Sequence, residues 1–218
     1  MTDQPIQLKV DPAKGRLMEI VHNGANLLWV NPKPEVDVSW PNWGGVKTWI
    51  WPQDAWPAKW PPLPAMDGLP WQQEDDSNTI ASKYIEEFGV RLLQGCELNG
   101  EKVCIVSELR QEGVSAIQVA PWVVIQLPVP KKLWVSTGKV ELAAGDEGKQ
   151  SFDDNEVELL TSRGRKLRIS SDVVEGYDMS LQLYLDPEGR YLEVEFAGRP
   201  KELVRGEVYC LTTSLEVI

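Results

Sequence analysis

The stretch VRLLQGCELNGEKVCIVSELR, residues 90–110, consists of two alternating segments joined by Asn99-Gly100. In each half, apolar residues recur largely at every second position, which is typical of a strand with one buried face. Asn-Gly is favoured in tight hairpin turns because both central residues take a positive φ. The stretch therefore predicts an antiparallel hairpin with strands over 90–98 and 102–110.

Segments of the same kind recur along the whole chain, separated by turn residues. Asn23-Gly24 joins one such pair, 16–22 and 26–30. The other predicted strands are 6–10, 116–129, 133–142, 156–162, 166–174, 180–186, 190–196 and 207–218. The best helix candidate, residues 80–88, is only about two turns long. The pattern predicts an all-β protein, a single large antiparallel β-sandwich domain over residues 1–218 with about a dozen strands.

The composition limits the partners that we expect. The 218 residues carry a net charge of −11, with a sequence pI of about 4.7. Nucleic-acid binding depends on Lys and Arg that neutralise phosphates, so this charge argues against nucleic acid and against anionic membrane surfaces. No apolar run approaches the roughly 20 residues of a membrane span. Neutral ligands such as sugars remain open, and the oligomeric state is not indicated.

The N-terminus and the cysteines indicate the compartment. The first residues show no basic and apolar leader, which predicts a cytoplasmic protein unless a leader was trimmed. The three cysteines, Cys96, Cys104 and Cys210, lie in apolar, strand-like surroundings. We expect them to be buried free thiols in a reducing compartment, with a Cys96–Cys104 bridge as the alternative.

Several kinds of chemistry are excluded by residue type. His22 is the only histidine, so a histidine-based zinc cluster cannot form and no metal site is expected. A Ser-His-Asp triad would need His22, and the chain has no G-x-S-x-G elbow. Phosphate-binding glycine loops and CxxC pairs are also missing, so no cofactor is expected. Carboxylates, indoles and amides remain, and these are the groups that a sugar site uses.

Seven of the ten tryptophans lie between Trp40 and Trp71, in a Trp/Pro-rich segment of about residues 40–75 that we interpret as a long loop. An indole covers the C–H face of a sugar and carries a polar N–H, while carboxylates, amides and ammonium groups bind hydroxyls. The segment therefore predicts a sugar or oligosaccharide ligand. In one alternative, the indoles pack the loop onto the sheet. In another, WPPLP (60–64) is a polyproline II ligand for a partner.

Several motifs carry a resemblance to a known family. GGVKTWIWPQDAW (44–56) followed by WPPLPAMDGLPW (60–71) resembles the signature of an uncharacterised branch of the galactose mutarotase-like, or aldose 1-epimerase, superfamily. ANLLWVNP (25–32) and VAPWVVIQLPVP (119–130) resemble further strands of that branch. YLEVEF (191–196) resembles the late strand that carries the general-base glutamate of catalytic mutarotases. The resemblance implies the supersandwich fold, with a sugar on the concave face of a large antiparallel sheet.

The alternation of side chains along two predicted strands agrees with that implied site. Trp122 and Gln126 share one face of an extended strand, as do Glu193 and Glu195, although ordinary solvated positions are the alternative for the two glutamates. The residues expected to bind the sugar are Trp43, Lys47, Trp49, Gln53, Asp54, Trp56, Trp122, Gln126 and Glu193.

Ring opening of a sugar needs a base on the anomeric hydroxyl and an acid on the ring oxygen. The resemblance implies Glu195 as the base. Catalytic mutarotases share an arginine near the first sheet and histidines that protonate the ring oxygen, whereas this chain has Lys47 and Trp49 near the expected arginine and no histidine after His22. Lys47 is therefore the candidate acid, and two carboxyl groups are alternatives, Asp54 and Asp67.

Three functions follow from the sequence. The leading hypothesis is a carbohydrate-binding protein of the mutarotase-like class with lost or unusual catalysis. The first alternative is an active aldose 1-epimerase or related sugar isomerase with Glu195 as base. The second is a protein-interaction or scaffold domain that docks a partner through the Trp/Pro-rich segment.

Overall fold

The structure is a computed structural model that describes residues 5–35, 38, 40–74, 78–114, 117–142, 149–172 and 181–218. The described residues form 17 β-strands in two sheets. The first sheet has the order β1 (Gln7–Asp11), β2 (Arg16–His22), β4 (Val46–Trp51), β9 (Ala120–Leu127), β16 (Leu192–Ala197), β15 (Leu181–Leu185) and β12 (Gln150–Phe152), with β3 (Ala25–Asn26) beside β2. The second sheet has the order β11 (Gly138–Lys139), β10 (Lys132–Val135), β13 (Glu156–Leu160), β14 (Lys166–Ser171), β17 (Val208–Val217), β8 (Lys102–Gln111), β7 (Val90–Asn99), β6 (Thr79–Ala81) and β5 (Gln72–Glu74).

The two sheets share one apolar core. Val123 and Val194 of the first sheet belong to the same buried cluster as Ile105 and Leu215 of the second, and all four are fully buried. Burying one such side chain contributes about 1.5–3 kcal/mol. Every strand pair within the two sheets is antiparallel, as in β9 with β16 and β8 with β17. The predicted all-β, antiparallel sandwich is confirmed.

Both predicted hairpins are present, but their turns differ. Asn23 and Gly24 both take a positive φ between β2 and β3, as predicted. In the other hairpin Asn99 pairs with Lys102 at the end of β7, so the turn consists of Gly100, which has a positive φ, and Glu101. The strand predicted over 26–30 is wrong beyond Asn26. The Asn26 side chain accepts hydrogen bonds from the backbone N–H groups of Ile20 and Leu28, at 3.0 and 3.1 Å. These side-chain hydrogen bonds replace the backbone hydrogen bonds between paired strands, so the strand ends at Asn26.

The Trp/Pro-rich segment is not a continuous loop. Its residues Val46–Trp51 form β4, a fully buried strand between β2 and β9, and Gln72–Glu74 form β5 at the edge of the second sheet. Gly44 and Gly45 lead into β4 with φ of 86° and 77°. A Cβ on Gly45 would lie 2.5 Å from the Leu17 carbonyl oxygen, so this turn requires glycine.

The helix candidate at 80–88 is strand and turn instead, because β6 ends at Ala81 and Ile85 forms a bridge with Val90. The described part of the chain contains no helix with the length and apolar character that crossing a membrane would require. Residues 116, 173, 174 and 180 of the predicted strands lie outside the described residues.

The three cysteines are free, but only one of them is buried. Cys96 lies in the core between the sheets, where burial raises the pKa of its thiol to about 12. Cys104 is half-buried. Cys210 is exposed, because it pairs with Glu108 on the outer face of β17, and its neighbour Leu211 points inward. The expectation of three buried thiols is therefore wrong for Cys104 and Cys210.

Candidate functional site

Four adjacent strands of the first sheet, β4, β9, β16 and β15, place chemically active side chains on one face. Trp49 lies opposite Trp122, and Glu193 lies opposite both Gln126 and Tyr184. Directly paired residues project to the same side of a sheet. The other face of these strands carries the valines of the shared core, so this face points away from the second sheet.

A cavity of about 560 Å³ opens on this face. That volume is within the range of small-molecule sites. Its lining residues are Trp40, Trp49, Gln53, Trp60, Trp122, Lys149, Tyr184, Tyr191, Glu193 and Glu195. The cavity therefore combines aromatic rings with carboxylates and an ammonium group.

Four indoles form an aromatic wall, which we define as Trp40, Trp49, Trp60 and Trp122. The Trp40 and Trp60 rings meet edge to face at 4.8 Å, and Trp49 and Trp122 do so at 5.3 Å. Such pairs contribute about 0.5–1.5 kcal/mol beyond the area that they bury. Trp60, 51% exposed, stands at the mouth, whereas Trp49 and Trp122 are buried at the base. The wall is thus held in place by ring-to-ring contacts.

Asp67 anchors the wall from behind. One oxygen of its carboxylate, Oδ2, accepts the Nε1–H groups of Trp40 and Trp49, at 2.7 and 3.1 Å. The other oxygen accepts from Arg16, which is fully buried and also donates to the Gly44 carbonyl. Burial lowers the pKa of the Arg16 guanidinium, and the adjacent Asp67 opposes that shift. The buried ion pair between Arg16 of β2 and Asp67 therefore fixes the orientation of two cavity indoles.

Glu193 is the first of two carboxylates on the cavity floor. Its Oε1 accepts from the Gln126 amide at 2.7 Å and from the Lys47 ammonium at 3.2 Å. Lys47 is 1% exposed and lies 4.3 Å from the Trp49 ring centre. Burial lowers the pKa of Lys47, and the Glu193 carboxylate opposes this change. Lys47 and Gln126 thus reach a ligand only through Glu193, which they hold in place.

Glu195 is the second floor carboxylate. It is 2% exposed, and its Oε2 lies 2.9 Å from the Nζ of Lys149, which is 5.2 Å from the Trp122 ring centre. Burial raises the pKa of Glu195 to about 7, with Lys149 opposing and Glu193 adding to the rise. This carboxyl group therefore changes its charge near neutral pH, the range in which a general base works best.

Polar atoms without partners gather beneath the same floor. The indole N–H of Trp122, the Oε1 of Gln126 and the Nε2 of Gln182 are buried and have no hydrogen-bond partner in the described part of the protein. Gln182 lies directly opposite Glu195. A buried polar atom without a partner costs about 1–3 kcal/mol. Because three such atoms lie together here, this part of the structure lowers the stability of the fold.

The structure brings five of the sequence-predicted residues together as cavity lining: Trp49, Gln53, Trp122, Glu193 and Glu195. The two glutamates are not solvated strand positions, since their side chains are only 12% and 2% exposed.

Three more predicted residues lie directly behind the lining. Lys47 and Gln126 contact Glu193 from below, as described. Trp56 is buried against Trp49 and Trp122 and donates its N–H to the Ile50 carbonyl at 2.7 Å, so it supports the floor without facing the cavity.

Trp43 and Asp54 lie outside the cavity. Lys14 covers the Trp43 ring, with its ammonium 5.4 Å from the ring centre. The side chain of Asp54 is 86% exposed and pairs with Lys59. Among the candidate acids, Asp54 is therefore remote from the floor, and Asp67 is occupied by Arg16 behind the wall.

Five lining residues were missed from the sequence. Tyr191 could have been found, because it precedes Glu193 by two positions and so shares its face. Tyr184 and the two indoles Trp40 and Trp60 lie in segments that the sequence singled out, without a signal that distinguished them. Lys149 follows residues 143–148, which lie outside the described residues, and no local pattern marks it.

Solved structures match the fold over nearly the whole chain. A galactose mutarotase related enzyme from Lactobacillus acidophilus is 9% identical with a TM-score of 0.65, covering 100% of this chain and 97% of that chain. A galactose mutarotase-like protein from Lactobacillus casei is 10% identical with a TM-score of 0.64, covering 98% and 97%. The 4-α-glucanotransferase from Thermococcus litoralis is 14% identical with a TM-score of 0.60, covering 98% of this chain and 38% of that chain.

No protein-family model and no curated protein matches the sequence. At such low identities the structural likeness establishes the fold, which is that of the galactose mutarotase-like β-sandwich. The fold that the sequence resemblance implies is thereby confirmed.

Proposed function

We propose that the cavity binds an uncharged sugar. The observation that carries the proposal is the placement of an indole wall beside a floor of two carboxylates within one cavity of about 560 Å³. A sugar ring presents C–H groups on its faces and hydroxyls around its rim. The indoles suit the faces, and Glu193 and Glu195 accept hydrogen bonds from the rim.

The unpartnered atoms beneath the floor support a polar ligand. Trp122 and Gln182 have donors without partners, and Gln126 has an acceptor without one. Water that accompanies a polar ligand donates and accepts at the same atom, so it can satisfy both kinds behind the lining. An apolar ligand would leave all three unsatisfied.

The charges favour a sugar without phosphate or carboxylate groups. Every Lys and Arg of the chain lies among the described residues, and Lys149 alone of these 22 lines the cavity. Its ammonium is already paired with Glu195. A phosphate or uronate group would therefore meet two floor carboxyl groups with no cation of its own. Like charges in a site of low exposure repel strongly.

Titration of tryptophan fluorescence with neutral aldoses, oligosaccharides, sugar phosphates and uronic acids tests the proposal. We expect saturable binding of at least one neutral sugar. Trp60→Ala should weaken that binding by about 1–3 kcal/mol, judged from the apolar area of one ring. Because Trp60 is half exposed, the melting temperature should change little.

Trp134→Ala is the matched control, since Trp134 is a partly exposed indole of β10 outside the lining. It should leave the sugar affinity at the wild-type value. Failure of every neutral sugar to bind would refute the proposal. Tighter binding of a sugar phosphate than of its parent sugar would refute the uncharged class.

A second candidate function is aldose 1-epimerase activity, with Glu195 as the base. It is favoured by one observation, the position of the Glu195 carboxyl group, which is buried, lines the cavity and lies beside Lys149. Burial raises the pKa of this group to about 7. Polarimetry on a freshly dissolved anomer of a bound sugar tests it. Glu195→Gln should return the rate to that of buffer, because an amide cannot accept the proton.

Docking of a partner through the Trp/Pro-rich segment has less support. Trp49, Trp51, Trp56 and Trp71 of that segment are buried within the protein. A partner would find little indole surface there besides Trp60.

A further inference from the structure

We propose that Lys149 is the proton donor to the ring oxygen of the bound sugar, so that Glu195 and Lys149 together interconvert its anomers. This inference rests on the proposed sugar binding and on the second candidate function, in which Glu195 is the base, and it adds the acid. Neither the sequence motifs nor the likeness of fold assigns a role to Lys149.

The other candidate acids are excluded by their positions. Lys47 is 1% exposed and lies beneath Glu193 and two indoles. Asp67 is held by Arg16 and by the N–H groups of Trp40 and Trp49. Asp54 lies in solvent, paired with Lys59. None of these three groups can contact a ligand in the cavity without displacing its own partners or the wall.

The geometry of Lys149 meets the requirement. The anomeric hydroxyl oxygen and the ring oxygen of an aldose are bonded to the same carbon, so the groups that serve them must be close neighbours. The Lys149 Nζ and the Glu195 Oε2 are 2.9 Å apart and both face the cavity. Lys149 is 31% exposed, and the nearby Trp122 ring fixes its direction.

The two tyrosines of the cavity are less well placed as donors. Tyr184 lies opposite Glu193, and Tyr191 is two residues before it, so both belong to the Glu193 side of the floor. Burial also raises the pKa of Tyr191, which makes its phenol hold the proton more tightly.

The proton balance closes without a co-reactant. The Glu195 carboxylate takes the proton of the anomeric hydroxyl while the bond between the anomeric carbon and the ring oxygen breaks. The ring oxygen takes a proton from the Lys149 ammonium, which leaves an open-chain aldehyde, a neutral amine and a carboxylic acid. After rotation about the bond next to the aldehyde, the reverse steps close the ring as the other anomer and restore both groups.

Three variants test the assignment by polarimetry together with a sugar-affinity measurement. Lys149→Met should lower the rate of anomer interconversion by at least about 100-fold, the usual contribution of a positioned acid. Lys149→Arg keeps the positive charge but cannot release a proton, so it should be equally slow. Lys132→Met is the control, since Lys132 is exposed on β10 and should leave the rate unchanged.

The pH profile separates proton donation from a charge effect. The wild-type rate should rise with pH as Glu195 ionises near pH 7, in a field set by Lys149, Glu193 and Lys47. In Lys149→Arg the rate should rise over the same pH range as in wild type, but the maximal rate at high pH should be lower. In Lys149→Met the rise in rate should occur at a higher pH, because the group that favours the carboxylate is lost.

The outcomes distinguish the two proposals. If no neutral sugar binds, the proposed function fails, and Lys149 has no substrate to act on. If sugars bind and the wild type does not accelerate their interconversion, the role of Lys149 is refuted while sugar binding stands. A fast Lys149→Met or Lys149→Arg variant also refutes it, because the reaction would then proceed without this proton donor.

Discussion

Asp67 connects the stability of the protein to the shape of its cavity. It is buried, and it accepts from an arginine on one oxygen and from two indoles on the other. We predict that Asp67→Asn lowers the free energy of unfolding by about 3–5 kcal/mol, because Arg16 would keep a buried charge without its partner. Urea denaturation measures this loss.

The matched control for that prediction is Asp54→Asn. Asp54 is also paired with a cation, but its side chain is 86% exposed. Exposed pairs contribute little, so the change should stay within about 0.5 kcal/mol. Equal losses in the two variants would show that Asp67 does not carry the anchoring role that its contacts indicate.

Glu195 makes the stability of the protein depend on pH. Its pKa of about 7 in the folded state is above the ordinary 4.5. Between these values the folded protein binds the proton more tightly than the unfolded chain does. The free energy of unfolding should therefore fall as the pH rises through this window and level off above it.

Urea denaturation of wild type and Glu195→Gln at several pH values, from about 4.5 to 8, measures the effect. The variant lacks the titrating group, so its stability relative to wild type should increase with pH up to about 7. In Lys149→Met the fall should continue to a higher pH than in wild type, because Lys149 favours the ionised carboxyl. Parallel curves for wild type and Glu195→Gln would contradict the raised pKa.

For individual residues, the sequence predicted some members of the site and missed others for a clear reason. Glu193, Glu195 and Trp122 lie on strands, in which every second side chain points to the same face, so the face of each could be predicted. Tyr191 lies two residues before Glu193 and therefore points to the same face. Lys149 lies in a polar stretch without alternation, and only the pairing of β12 with β15 brings it near Glu195. Such a neighbour depends on tertiary contacts, which no local pattern encodes.

Among the elements, β4 packs into the protein with one face and contributes to the site with the other. Val46 and Ile50 point to the face opposite the site, whereas Lys47, Trp49 and Trp51 point to the site face. VKTWIW has the period of two that is typical of a strand, although no strand was predicted there. The dense tryptophans and the prolines that follow favoured a loop interpretation of the whole segment, and that composition concealed the period of two.

The turn that starts β4 should tolerate no side chain. Gly45→Ala would place a Cβ 2.5 Å from the Leu17 carbonyl oxygen and would hold alanine at a φ of 77°. Left-handed strain and overpacking together predict a loss of about 2–5 kcal/mol in the free energy of unfolding. Thermal or urea denaturation measures it.

Gly24→Ala separates the two causes. Gly24 also has a positive φ, but no atom lies within 4 Å of the position of its Cβ. Its loss should be about 1–2 kcal/mol, from backbone strain alone. If the two alanine variants lose the same stability, the close approach of Gly45 to β2 contributes nothing.

For the whole molecule, local alternation was sufficient to predict the class of fold, because a period of two directly reports one buried face. The order of the strands was not predictable in the same way. Trp49 and Trp122 are paired across a long stretch of chain, and so are Gln126 and Glu193. These pairings result from how the core closes, and they assemble the cavity from four strands that the sequence keeps apart.

The edge-to-face packing of the aromatic wall and of the adjoining Trp56 has an optical consequence. Trp49 contacts four other indoles at ring-centre distances of 5.3 to 6.2 Å, and all four pairs are edge to face. Transition dipoles at such separations and angles couple, so an excitation is shared among the rings as an exciton. The far-ultraviolet circular dichroism of this protein should therefore carry a bisignate aromatic signal on top of the β-sheet spectrum. A change in the tilt of any one ring would alter that signal, even where the backbone stays still.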